Sequence, residues 1–231
     1  MANRARTQPG AEKVTDIEEV KVLENLQSKY EKNKKNINTA VTVILIAVVG
    51  YFAYTNLYQE PRNQKAATAV SFAQRYFEAD SLNLALNGDG QHQGFLKIIK
   101  KYDGTPTANI SHYYAGVCYL RMGDFKNAIK HLEDFSGKGT VVANAAWGAL
   151  GDAYMESGNN KKGIEYYEKA ISDKSNTVYN PIYLKRLGVA YEMAKKPEDA
   201  KKAYMRIRDE YPMSEQARDM EKSLARLGVI E

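Results

Sequence analysis

The sequence predicts an all-α protein: one N-terminal transmembrane helix followed by an α-solenoid of about four helical hairpins and a C-terminal capping helix. Three observations predict it. Residues 36–59 hold no charged side chain, so one helix-length stretch is suited to lipid. Glycines recur at Gly116, Gly151 and Gly188, at intervals of 35 and 37 residues, and periods of that size mark stacked helical repeats. Short polar breaks, Met122-Gly123-Asp124, Ser157-Gly158-Asn159-Asn160 and Lys195-Lys196-Pro197, follow each glycine where one helix must turn into the next.

Residues 1–36 form a cytoplasmic segment with an amphipathic pattern. Thr15 and Glu18 read as a capping box, and Ile17, Val20, Leu23, Leu26 and Tyr30 recur at three- and four-residue steps. That stripe either packs on a membrane partner, pairs with itself or lies on lipid, or it belongs to a frayed helix that only stiffens the approach to the span. Residues 37–58 are the span. As a helix they extend about 33 Å, enough for a hydrocarbon core of about 30 Å. Tyr51, Phe52, Tyr54 and Tyr58 gather at its far end as interfacial aromatics do. A cleaved signal peptide fits less well, since a long leader precedes the segment and bulky residues crowd its exit. Lys29, Lys32, Lys34 and Lys35 precede the span and only Arg62 and Lys65 follow closely. The positive-inside rule then places the N-terminus in the cytoplasm and residues 59–231 in the periplasm of a bacterial inner membrane.

Within that domain Trp147, Leu150, Gly151 and Tyr154 fit the W-x-x-L-G-x-x-Y signature of the tetratricopeptide repeat. The glycine position is where helix B crosses helix A closely, and Gly151 with Ala170 is expected to supply the small pair. Tyr119 and Ala128 follow Gly116, Tyr154 and Tyr167 belong to the second repeat, and Leu184, Leu187, Tyr191, Ala200, Tyr204 and Pro212 complete the third. The repeats are placed at about 109–142, 144–177 and 181–212. Upstream, Ala73, Tyr76 and Ala85 take the same roles in a degenerate repeat, 61–104, once the glycine-rich insertion 87–94 is set aside. Ser214 caps a final helix, 214–227, with Met220, Leu224 and Leu227 on one face.

The chain offers little chemistry. Its net charge of +5 is spread evenly, which gives no nucleic-acid footprint. Cys118 is the one cysteine, excluding a disulfide framework and a cysteine metal cluster; within a helix A it reads as a small buried residue. His92, His112 and His131 show no metal-ligand spacing. Gly137-Lys138-Gly139-Thr140 fits a phosphate loop only in part, because the required upstream glycine is Leu132. Asn109-Ile110-Ser111 is a glycosylation triplet by pattern alone, and Asp89 lacks the acidic companions of a calcium loop. No enzyme activity, cofactor or metal is expected.

Binding remains. Counted from the ruler glycine, the groove-facing positions give Tyr113 and Arg121 in the first full repeat, Asp152, Met155 and Glu156 in the second, and Lys185, Glu192 and Met193 in the third. Aromatic, thioether and both charge signs together suit extended or unfolded polypeptide. The Lys/Asn clamp that grips a chaperone's C-terminal carboxylate is missing: those positions hold Tyr113 with Val117, Gly148 with Asp152, and Lys185 with Val189.

The run Arg75 to Gly90 (RYFEADSLNLALNGDG) and the later Tyr113 to Leu120 (YYAGVCYL), together with leader, span and repeats, resemble the Bacteroidota type of membrane-anchored ancillary Sec translocon subunit. The likeness covers essentially the whole chain. It implies protein partners, namely Sec translocon subunits, a periplasmic prolyl isomerase chaperone or unfolded polypeptide, and a role in handing emerging chains to folding factors. It transfers no catalytic residue. An envelope organiser, linking division or secretion machinery to the inner membrane, is the alternative that the same architecture serves.

Overall fold

The computed structural model describes residues 11–137, 140 and 142–229, with side chains from residue 21 onward. Lys138 and Gly139 of the glycine-lysine loop lie outside the described residues. The chain divides into two units, residues 1–60 and 61–231.

In the first unit, α1 (Ala11–Tyr54) is followed by a π-helical turn, Thr55–Gln59. Because α1 begins at Ala11, Thr15 sits inside its first turns; the expected capping box at Thr15 and Glu18 is not the helix start. The side chains of Ile17 and Val20 lie outside the described residues, whereas Leu23, Leu26 and Tyr30 are exposed. The helical run Lys21–Glu78 contains a stretch long and apolar enough to cross a membrane. Its hydroxyls bond within the helix: Thr39 Oγ1 donates to Lys35 O at 2.8 Å and Thr42 Oγ1 to Asn38 O at 2.8 Å. Such closure suits a medium that offers no water. Tyr54 and Tyr58 stack with ring centroids 5.5 Å apart.

The second unit is built from antiparallel helices: α2 (Glu60–Glu78), α3 (Leu82–Asn87), α4 (Phe95–Lys101), α5 (Pro106–Arg121), α6 (Phe125–Asp134), α7 (Val142–Glu156), α8 (Asn160–Ala170), α9 (Asn180–Met193), α10 (Pro197–Glu210) and α11 (Met220–Arg226). The described residues hold no strand, only an isolated bridge between Gly88 and Gln93. Pairs α5/α6, α7/α8 and α9/α10 form the hairpins, and each packs on the next in chain order. This is the helical solenoid that the glycine period predicts.

Its close crossings follow from side-chain size. A Cβ added at Gly116 would lie 2.5 Å from Leu132 Cγ, at Gly151 2.4 Å from Tyr167 Cδ1, and at Gly188 2.2 Å from Tyr204 Cε1. The helix-B neighbour is the same repeat position each time. The small residue facing back in the second repeat is Gly163 rather than Ala170. A Cβ on Gly163 would sit 3.2 Å from Gly151 O, whereas Ala170 is buried in a cluster that includes Tyr183 and Leu184 of the next hairpin. Asp124 and Asn159 cap α6 and α8 by accepting from Asn127 N and Lys162 N, each cap contributing about 1 kcal/mol. The third turn differs: Lys195 takes the left-handed conformation, φ 57°, that Gly123 and Gly158 adopt in the others. Burial pushes the Cys118 thiol up to about 12, so it is a packed, unreactive side chain.

The end of the chain is shorter in α-helix than expected. Ser214 Oγ accepts from Ala217 N at 3.2 Å, but Glu215–Asp219 is a 3-10 turn and α11 begins only at Met220. Met220 and Leu224 are buried there.

The glycine-rich insertion separates α3 from α4 and is tightly held. The Asp89 carboxylate accepts from Gln91 N at 2.9 Å, His92 N at 2.6 Å and Tyr76 Oη at 2.7 Å, and meets His92 Nδ1 at 2.9 Å. His92 stacks on Phe72 with centroids 3.7 Å apart. The His92 side-chain and backbone hydrogen bonds hold the Asp89 carboxyl well below the usual carboxylate range. A depressed carboxyl contributes stability above its unfolded pKa and loses it as pH falls through the folded one. Asp89→Asn removes that contribution, so the amides of Gln91 and His92 are expected to exchange at least several-fold faster in the variant. Equal protection would show that the loop is held by its backbone alone.

Candidate partner-binding groove

Helices α7 and α9 lie in successive hairpins, and their exposed sides with Tyr167 of α8 enclose a groove of about 350 Å³. Five of the sequence-predicted residues line it: Asp152, Met155 and Glu156 from α7, and Lys185 and Met193 from α9. Arg186, Val189 and Ala190 line it as well. Val189 holds the ninth repeat position, one of those that face the groove, whereas Arg186 holds the sixth, which does not belong to that set.

The apolar part is soft and open. Met193 is 58% exposed and Val189 46%, and the Met155 side chain lies over Gly163, where a Cβ would meet Sδ at 2.5 Å. Unbranched thioethers repack around differing side chains. The polar part is already organised. Asp152 Oδ1 accepts from Tyr167 Oη at 2.6 Å, and Oδ2 accepts from Arg186 Nη1. Burial pushes the Asp152 carboxyl up from its ordinary value, and the Arg186 charge and the Tyr167 hydrogen bond offset this only in part. Lys185 Nζ reaches Asp219 Oδ2 at 3.3 Å across exposed surface, a pairing worth little.

The remaining predicted residues stand apart from this groove. Glu192 accepts from Tyr204 Oη at 2.6 Å and from Arg226 Nη2 at 2.8 Å, tying α9 to α10 and α11. Arg121 pairs with Asp80 at 2.8 Å and lies over the Phe77 ring. Tyr113 packs against Tyr114 and Phe135, and burial pushes its phenol up to about 12. These three contribute to packing between elements, a role that a count of repeat positions cannot separate from groove exposure.

The family pattern described as tetratricopeptide repeat matches residues 116–177 and 149–215. No curated protein matches the sequence. Among solved structures, the nearly identical TPR-like repeats of a Podosopora anserina protein named for kinesin light chain are similar, with TM-score 0.55 and 14% identity over 71% of this chain and 85% of that one. A second form of the same repeats, one substitution apart, aligns alike. The MamA protein is similar with TM-score 0.50 and 22% identity, over 76% of this chain and 82% of its own. At these identities the likeness is one of fold.

Proposed function

We propose that this chain, a tetratricopeptide-repeat protein by its matched repeats and its fold, is a membrane-anchored scaffold that binds extended polypeptide in the α7/α9 groove as it enters the periplasm. The observation that carries the reading is the groove's composition: flexible, exposed Met193 and Val189 beside Met155, with Lys185 and Glu156 at its edge. Such a surface accepts varied side chains and rewards no single charged motif. The uncharged stretch 36–59, its internally bonded threonines and the lysines before it support an anchor with the N-terminus in the cytoplasm. Resemblance to ancillary Sec subunits names the setting, beside the translocon and a membrane-anchored prolyl isomerase chaperone.

The test is photo-crosslinking in native membranes from a probe at Val189, with partners identified by mass spectrometry. Secretory chains and Sec subunits are expected. Met193→Asp should cut polypeptide crosslinking about tenfold, near 1.4 kcal/mol, while leaving thermal unfolding unchanged because the side chain is exposed. Recovery of division or outer-membrane secretion components without the channel would make the protein an envelope organiser instead.

A further inference from the structure

The two histidines of the first full repeat break its grammar. His112 and His131 occupy positions that hold Trp147 and Tyr166 in the second repeat and Leu184 and Ala203 in the third. A local departure at paired positions marks a place to look for function. The fold brings the two rings together from α5 and α6, although nineteen residues separate them and no ligand spacing announces them. Their Nδ1 atoms lie 3.3 Å apart and their ring centroids 5.3 Å apart. His112 Nδ1 is 3.9 Å from Asp134 Oδ2, on a carboxylate that is 50% exposed, one turn along α6 from His131.

We infer that His112 and His131 form a two-imidazole site for a late first-row divalent cation, with Asp134 or water completing the coordination. Two nitrogens held at about 2.05 Å by one tetrahedral ion stand about 3.3 Å apart, with ring centroids about 5.2 Å apart. A straight hydrogen bond of the same N···N length would set the centroids about 5.6 Å apart. The observed 5.3 Å fits convergence on an ion and fits a bent hydrogen bond between the rings equally, and the titration below separates the two. No three His, Cys, Asp or Glu side chains among the described residues close on one point as they stand, so the two imidazoles are the ligands the fold supplies, and Asp134 would join them only by a change of rotamer. Tyr119, stacked on His131 with centroids 5.5 Å apart, fixes that ring from the other side. A bound ion would join helix A to helix B, and the chemistry selects copper or zinc over the oxygen-preferring magnesium and calcium.

The experiment is titration of the full-length, chelator-treated protein in detergent with Zn²⁺ alone by calorimetry and with Cu²⁺ alone by electron paramagnetic resonance. The variants are His112→Leu and His131→Ala, which install the side chains of the third repeat, with thermal unfolding measured in each so that a loss of fold is told apart from a loss of ligand. One ion per chain is expected, with nitrogen hyperfine structure for Cu²⁺, at least tenfold weaker binding in either variant and a smaller loss in Asp134→Asn. Binding unchanged in both variants, or no binding in a wild-type protein that unfolds normally, would overturn the site and leave the pair as a neutral hydrogen bond.

Discussion

Gly151→Ala is expected to destabilise the protein by about 2 kcal/mol although it adds one methyl to a helix. Alanine in a helix interior is favoured over glycine by about 1 kcal/mol. Against that, the new Cβ would stand 2.4 Å from Tyr167 Cδ1 and 2.5 Å from Cε1. Overpacking of a well-filled site costs about 1–3 kcal/mol, occasionally more, and here the ring cannot simply swing away. Its hydroxyl donates to Asp152 Oδ1 at 2.6 Å, and its face stacks on Tyr183 with centroids 6.5 Å apart. Steric strain therefore outweighs propensity, and thermal unfolding should shift down by roughly 5 °C. The control is a cycle with Tyr167→Ala. Removing the ring makes room for the methyl, so the double variant should be more stable than the two single losses predict, by about 1 kcal/mol or more. Simple additivity would mean that the crossing is not limited by side-chain volume at this glycine.

That contact also shows why the fold was readable. A helix crossing that excludes a Cβ leaves a glycine in the sequence wherever it recurs, so Gly116, Gly151 and Gly188 expose the period without knowledge of anything they touch. The signal is less specific on helix B. Gly163 and Ala170 are both small, and only the folded chain shows that Gly163 meets Gly151 while Ala170 serves the next hairpin. Contacts between repeats were not legible at all. Arg186 with Asp152 and Arg226 with Glu192 depend on the stagger of one hairpin against the next, and residue spacing carries no measure of that stagger. For the same reason a positional count cannot separate Tyr113, Arg121 and Glu192, which pack between elements, from the residues that line the α7/α9 groove. In the first unit, the apolar run announced a helix, but the π-helical turn Thr55–Gln59 left no mark in composition. The pairing of His112 with His131 was hidden by its separation, though the loss of the usual apolar residues at both positions was open to view.

Asp152→Ala should be the most damaging change among the groove residues, and Asp152→Asn should fall between it and wild type. Alanine leaves the Tyr167 hydroxyl without its acceptor and the Arg186 guanidinium without its partner. Losing one member of a buried pair costs about 3–5 kcal/mol, whereas an exposed pair is worth about 1 kcal/mol or less. With side chains 24% and 45% exposed, this pair falls between, and a loss of about 2 kcal/mol is expected. Asparagine keeps one acceptor oxygen, enough for either the Tyr167 hydroxyl or Arg186, and sets an amide NH2 where the second oxygen stood, so it gives up the charge and one of the two bonds. Burial, the dominant influence, raises the Asp152 pKa despite Arg186, so the charged carboxylate is held at a penalty. For a carboxyl raised on folding, the stabilising contribution is complete below its unfolded pKa and fades as pH rises through the folded one. At neutral pH the Asp152 carboxylate, paired with Arg186, links α7 to α9, and the stability of wild type relative to Asp152→Asn should fall slightly as pH rises across that acidic window, the other carboxyls cancelling in the difference. Thermal unfolding of the three proteins between about pH 3 and pH 7 separates the cases. If asparagine proves as damaging as alanine at neutral pH, the ion pair itself sets the spacing of the groove walls, and polypeptide binding should be lost with it.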